Sequence, residues 1–198
     1  MIESPLRKRQ QQTRRAILDA ALQLVAENGI DRVSWRSIAR AVHYSPSGMY
    51  EYFNGKDDII QTLAEEGLAE LDEYLAMVDS SMPLEEQFVD SGLAYIRFAR
   101  DHPVRFDIAF SLLPSKRESL DQAPTGAYKR LYDLVQLGLD ATTLRTESED
   151  DADALAYLFW SLFHGMASLQ TTHLSSLDVV FEDTDRAGIR ALFRGLFG

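Results

Sequence analysis

The stretch DRVSWRSIARAVHYSPSGMYEYF, residues 31–53, decides how this chain is read. Ser34 is a natural N-cap, because its hydroxyl can accept from a first-turn N–H that has no helical partner. The helix it opens, 35–41, turns Ile38 and Ala39 inward. Ser45 caps a second helix, 46–52, whose Pro46 occupies the first turn, where its missing N–H costs nothing. Val42-His43-Tyr44 joins the two in a tight turn. Two short helices joined by a turn of about three or four residues, behind a longer helix, form the layout of a helix-turn-helix, whose second helix enters the DNA major groove. That helix starts with the small and polar Ser45, Pro46, Ser47 and Gly48, so its end can approach base edges. Tyr50 and Tyr52 offer hydroxyls that reach phosphates.

Outward from this stretch, apolar residues recur at helical spacing nearly everywhere, as in Ile17, Ala20, Ala21, Leu24, Val25 and in Ile189, Leu192, Phe193, Leu196, Phe197. No alternating strand pattern of useful length appears. The pattern predicts an all-α fold of about nine helices, at 11–27, 35–41, 46–52, 57–79, 84–101, 104–112, 125–144, 149–171 and 183–197. Asn28-Gly29 supplies a residue tolerant of positive φ after the first helix. Pro83 and Pro103 sit at helix starts, Pro114 and Pro124 bracket a loop, and the acidic run 147–153 lies where a helix N-terminus welcomes negative charge.

Composition narrows the class of function. The chain has 198 residues, 45% of them hydrophobic, and no Cys, which describes a globular protein without disulfides, thiolate nucleophile or Cys-based zinc site. The basic N-terminus lacks the apolar stretch of a secretory signal. Residues 154–177 carry no charged side chain, yet Ser161, His164, Gly165, Ser168 and Gln170 interrupt them, so a buried helix is expected rather than a membrane span. The net charge of -11 divides unevenly: residues 1–56 hold nine Lys or Arg against five Asp or Glu, a net of +4, and the remainder carries -15. A basic quarter on an acidic body suits a polyanion at one end and water at the other.

The segments ILDAALQLVAENG (17–29), VSWRSIARAV (33–42), SPSGMYEYF (45–53) and NGKDDII (54–60) together resemble, from Thr13 to Ile60, the N-terminal domain of the tetracycline-repressor (TetR) family of transcriptional regulators. One departure stands in the turn, where the family's usual glycine is replaced by His43. The resemblance implies a helix-turn-helix domain at 1–56 with a basic arm (Arg7, Lys8, Arg9, Arg14), and an effector-binding and dimerisation domain at 57–198. It implies that Arg36, Pro46, Ser47 and Gly48 face base edges, and that Ser34, Tyr50, Tyr52 and Lys56 hold phosphates, with Ser45 capping the recognition helix. Trp35 is expected as a partly buried wall, and Phe53 as core.

The pieces FARDHPVRFDIAF (98–110) and FWSLFHGMASLQ (159–170) resemble a C-terminal type in that family marked by Trp160, His164 and Gly165. A helix apolar on most sides must be buried on most sides. The resemblance therefore points to a homodimer built on 149–171 and 183–197, with Tyr157, Ser161, Ser168, Ile189, Leu192, Phe193 and Leu196 at the interface. It also implies a small-molecule effector pocket, for which Tyr95, Phe98, His102, Phe106, Phe110, Tyr128, Tyr132, Trp160 and His164 are the candidates, each also suited to core packing. The function so implied is a cytoplasmic repressor, released by its effector from a palindromic operator in double-stranded DNA, without cofactor, metal, catalytic residues or membrane contact. Two other classes of function compete with it. An enzyme is disfavoured because no phosphate-cradling loop, HExxH pair or nucleophile elbow occurs, although Asp101-His102 and His164 could form an acid–base pair. A helical adaptor would not need Arg36, Tyr50 and Lys56 on one face.

Overall fold

The computed structural model describes residues 5–111, 126–141, 150–177 and 179–197. Among them every regular element is helical: α1 Pro5–Asn28, α2 Trp35–Ala41, α3 Lys56–Ala76, α4 Leu84–Asp101, α5 Pro103–Ser111, α6 Gly126–Ala141, α7 Asp150–Thr171 and α8 Glu182–Phe197, with short 3₁₀ turns at Ile30–Arg32 and Gly48–Glu51. No described helix is long and apolar enough to cross a membrane.

Three departures from the expected boundaries have local causes. The first helix begins at Pro5 rather than 11: proline is tolerated in the first turn, and nothing from Leu6 to Gln12 breaks a helix. The α-helix expected at 46–52 is instead a 3₁₀ turn over Gly48–Glu51. Pro46 gives no N–H and Ser47 and Gly48 are weak helix formers, so the segment closes with the tighter bonds Gly48 N–H to Ser45 O (3.0 Å) and Tyr50 N–H to Ser47 O (3.3 Å). The helix expected to reach 79 stops at Ala76. There Asp79 accepts from the backbone N–H and hydroxyl of Ser81, forming a local turn that competes with the helix. Pro114, Pro124 and residues 142–149 lie outside the described residues.

The chain forms two compact units. The first runs to Gly67 and takes in α5 from Val104 onward. Its core is Ile17, Leu18, Ala21 and Val25 from α1, Ile38 and Ala39 from α2, Met49 and Phe53, Ile59, Ile60 and Leu63 from α3, and Ile108 from α5. Glu66 ties this unit by charge, taking Arg15 at both carboxylate oxygens (2.8 Å each) and Arg105 at 3.6 Å.

In the second unit α4 packs against α7 and α8, and α6 against α7. Its core is aromatic: Phe88 lies 4.3 Å from Phe159 and 5.2 Å from Phe193 between ring centroids. Gly92 lets the helices close on one another, since a Cβ there would stand 2.5 Å from Ile189 Cδ1 and 2.6 Å from Phe163 Cε1. The buried stripe of α7 is Ala152, Ala156, Phe159, Phe163 and Ala167, a spacing of three and four that matches the helical period.

Candidate nucleic-acid interface and buried cavity

The first short helix is capped as its sequence predicts. Ser34 Oγ accepts from Ser37 N–H (3.1 Å), and Ser37 Oγ accepts from Ser34 N–H (2.9 Å), so two orphan donors are satisfied reciprocally. His43 takes the turn with φ 55°, the left-handed region that glycine would occupy without cost. Ser45 Oγ then accepts from Gly48 N–H (3.0 Å), which starts the 3₁₀ turn.

Trp35 joins the two pieces. Its indole N–H donates to the carbonyl of Pro46 (3.0 Å), and its ring lies 5.0 Å from that of Tyr50. It is partly buried, as expected. Around this lock Ser34, Arg36, Ser45, Pro46, Ser47 and Tyr50 are exposed, with Gly48 and Tyr52 half-buried. Tyr50 is 62% exposed, which removes it from the core, whereas Phe53 is 2% exposed and belongs there.

Two cations sit differently from a simple phosphate-facing arm. Lys56 opens α3, one residue earlier than expected, and its ammonium donates to the carbonyl of Ile30 (2.9 Å), leaving two further donors. Arg14 is a strut: it donates to the carbonyl of Tyr52 (2.7 Å), reaches Thr62 Oγ1 (3.4 Å), and lies 3.9 Å above the Phe53 ring. Arg7, Lys8 and Arg9 are exposed on the first turns of α1. The structure adds a contact that the sequence reading missed: the rings of Tyr44 and Tyr52 stand edge to face, 5.9 Å apart. The hydrogen bond from Thr13, then that from Tyr52, holds the Tyr44 hydroxyl below the usual tyrosine range, and the Tyr44 contact pushes Tyr52 above it.

In the second unit the expected pocket residues divide. Tyr95, Tyr128, Trp160 and His164 gather: the Tyr95 hydroxyl is 2.9 Å from His164 Nδ1, and the Trp160 ring is 5.2 Å from Tyr95 and 5.6 Å from Tyr128. Burial lowers the His164 pKa and raises that of Tyr95. Phe98 and His102 instead pack with Tyr74, whose hydroxyl donates to Asp101 (2.9 Å) and meets His102 Nε2 (3.2 Å). Tyr132 pairs with Gln136 (3.0 Å). Phe106 and Phe110 belong to the first unit, 4.9 Å apart. A cavity of about 30 Å³ is lined by Tyr95 and Trp160 together with Leu75, Ser91, Arg130, Leu131 and Phe163, and Arg130 is held by Asp72. That is room for a water or two, far below the roughly 300 Å³ at which ligand pockets begin. A wider groove of about 280 Å³, lined by Tyr74, Met77, Asp90, Leu93, Arg97 and Arg186 among others, contains none of the expected residues.

Of the expected interface residues, Tyr157 and Ser161 are exposed, and Ser168, Leu192, Phe193 and Leu196 are half-buried. Ile189 is fully buried within its own chain, against Gly92. Leu158 and Leu169 are exposed beside them on α7, at 43% and 51%.

Residues 88–193, more than half of the chain, match the family model of the tetracyclin repressor-like C-terminal domain, and residues 17–63 match that of bacterial regulatory proteins of the tetR family. The uncharacterized HTH-type transcriptional regulator YobS of Bacillus subtilis (strain 168) is 25% identical over 108 residues, 54% of this chain and 56% of that protein, so the match spans little more than half of the relative. A protein of unknown function from Rhodococcus sp. RHA1 superposes with a TM-score of 0.74 at 22% identity, covering 94% of this chain and 96% of that one. A bacterial regulatory protein in the tetR family from Rhodococcus RHA1 does so with 0.71 at 16% identity, covering 94% and 97%. At these identities the structures speak for the fold.

Proposed function

The chain belongs to the tetR family of bacterial transcriptional regulators, and from that premise we propose that it is a cytoplasmic repressor that holds a palindromic operator as a homodimer and leaves it when a small molecule binds the second unit. The observation that carries the reading is the Trp35 lock, which fixes α2 to the 3₁₀ turn while leaving Arg36, Ser45, Pro46, Ser47 and Tyr50 exposed beside it. A preset surface of small residues and one guanidinium suits a major groove, where an Arg can take guanine O6 and N7 together. Arg36, Pro46, Ser47 and Gly48 then meet base edges. Ser34, Tyr50, Tyr52 and the free donors of Lys56 meet phosphates, fixing register without reading sequence.

Two such heads need a partner. The exposed apolar residues Tyr157, Leu158 and Leu169 on α7, with the outer side of α8, supply the apolar face of a two-fold interface. In the dimer the half-sites lie about 34–36 Å apart or a multiple of that. The closed cavity at Tyr95 and Trp160 is the effector site of this reading, and a ligand there must favour an opened arrangement over the closed one, since affinity alone shifts nothing.

Selection of random duplex DNA on the purified protein tests it, with affinity for the winner followed against salt. Enrichment of a palindrome bound with steep salt dependence is the expected result. Absence of any enriched sequence at low salt, before and after refolding to strip ligand, would overturn the reading. On the selected operator, Arg36→Ala should cost about 1–3 kcal/mol and relax preference at one base pair, whereas Lys56→Gln should weaken all sequences alike and reduce the salt slope by about 1.

A further inference from the structure

The groove of the second unit is built on one face of α4, where Asp90, Leu93, Ala94 and Arg97 follow at helical spacing. Tyr95 lies off that face, turned to His164 and Trp160, so the groove and the closed cavity open on different sides of the helix. The rim is the connection after α3, with Met77, Val78 and Met82, and Arg186 of α8 completes the wall. That connection is held in place. Gln87 Nε2 donates to the carbonyls of Ser80 (3.1 Å) and Met82 (2.8 Å), and Asp79 accepts from the Ser81 N–H (2.8 Å) and hydroxyl (2.7 Å). The space of about 280 Å³ is therefore formed without a ligand, and it approaches the roughly 300 Å³ at which ligand pockets begin.

The charged groups of the groove are unequally committed. Arg186 is taken by Asp90 (3.4 Å) and Glu182 (3.2 Å), and Asp79 is engaged by Ser81. Arg97, two turns beyond Asp90 on the same face, is exposed and has neither hydrogen bond nor ion pair with any described residue. Its guanidinium is a planar fork of N–H donors that matches a carboxylate at two points. Beside it the apolar side chains are accessible: Met77 is 69% exposed above the buried Leu93 and Ala94. Two arginines and two aspartates line the groove, so it offers one uncommitted cation and no net field for a multiply charged anion, in a chain of net charge -11.

We infer that this groove is an additional ligand site, which takes a small monocarboxylate with an apolar body, the carboxylate on Arg97 and the body against Met77, Leu93 and Ala94. The fork of Arg97 selects the single charge, and the unbranched methionines let the rim follow bodies of different outline. The site is separate from the cavity at Tyr95 and Trp160, and it stands whether or not the protein holds an operator.

Titration calorimetry on the full-length protein without DNA tests it, with octanoate and phenylacetate as probes and octanamide as the neutral counterpart. The wild type should bind both carboxylates saturably, and octanamide about tenfold more weakly than octanoate. Arg97→Gln should remove that tenfold preference and leave octanamide binding unchanged, and Arg97→Lys should restore part of it. Met77→Glu, at an exposed position, should abolish binding of both carboxylates, whereas Met77→Leu keeps it. Thermal midpoints confirm that each variant folds. Carboxylate binding that is unchanged in Arg97→Gln and Met77→Glu would overturn the site, and its loss in Trp160→Phe instead would move the ligand to the closed cavity. Absence of saturable binding of either carboxylate to the wild type up to millimolar concentration would overturn it as well, and would leave the DNA-binding reading standing.

Discussion

At the scale of single residues, His43 and His164 have opposite relations to their surroundings. His43 is held by backbone geometry: at φ 55° its Cβ crowds the carbonyl that follows, a cost that glycine escapes. His43→Gly should therefore raise the thermal midpoint, by the equivalent of up to about 1 kcal/mol, with operator affinity unchanged; a lower midpoint would show that the side chain earns its place. His164 is held by burial, which lowers its pKa from 6.5. The unfolded chain then binds more protons than the folded one just below pH 6.5, so stability falls as pH drops through that value. Thermal midpoints at pH 7.5 and 5.5 should differ more for the wild type than for His164→Gln. An equal drop in both would place the acid sensitivity elsewhere. Neither state is written in the residue type. The exposed His43 was marked by its place in a turn pattern, but the Tyr95 partner of His164, 69 positions away, was not.

At the scale of elements, caps were readable and seams were not. The Ser34–Ser37 box, the Pro103 start of α5 and the positive φ of Gly29 (79°) all follow from neighbours within four residues. Arg14 shows the opposite case. It reads as one more cation in a basic arm, yet its guanidinium reaches 38 positions to Tyr52 O and covers Phe53. Arg14→Lys keeps the charge and loses the planar fork. It should destabilise the first unit by about 1–2 kcal/mol and weaken operator binding without changing the salt slope; denaturant unfolding and salt titration check the two parts, and a reduced slope with intact stability would return Arg14 to the DNA. Gly92 belongs to the same scale. Gly92→Ala drives a methyl into Ile189 and Phe163 and should cost about 1–3 kcal/mol in denaturant unfolding.

At the scale of the molecule, the reading as a dimer makes one clear demand. Leu158→Glu places a charge on the exposed face of α7 without disturbing its buried stripe. It should convert the dimer to a folded monomer by sedimentation and abolish operator binding at concentrations where the wild type is saturated. A dimer that survives the change would put the interface on another surface. The sequence by itself determined the helical class, most helix limits and the 31–53 motif, because periodicity, caps and turn residues act over a few positions. Only the tertiary structure decided that the second motif segment winds as a 3₁₀ turn, that Ile189 belongs to its own core, that the pocket candidates separate into different clusters, and that the rings of Tyr44 and Tyr52 meet. Those outcomes depend on which side chains arrive from distant segments to fill a shared volume. Spacing along one helix names the face that turns inward and is silent on what it will find there.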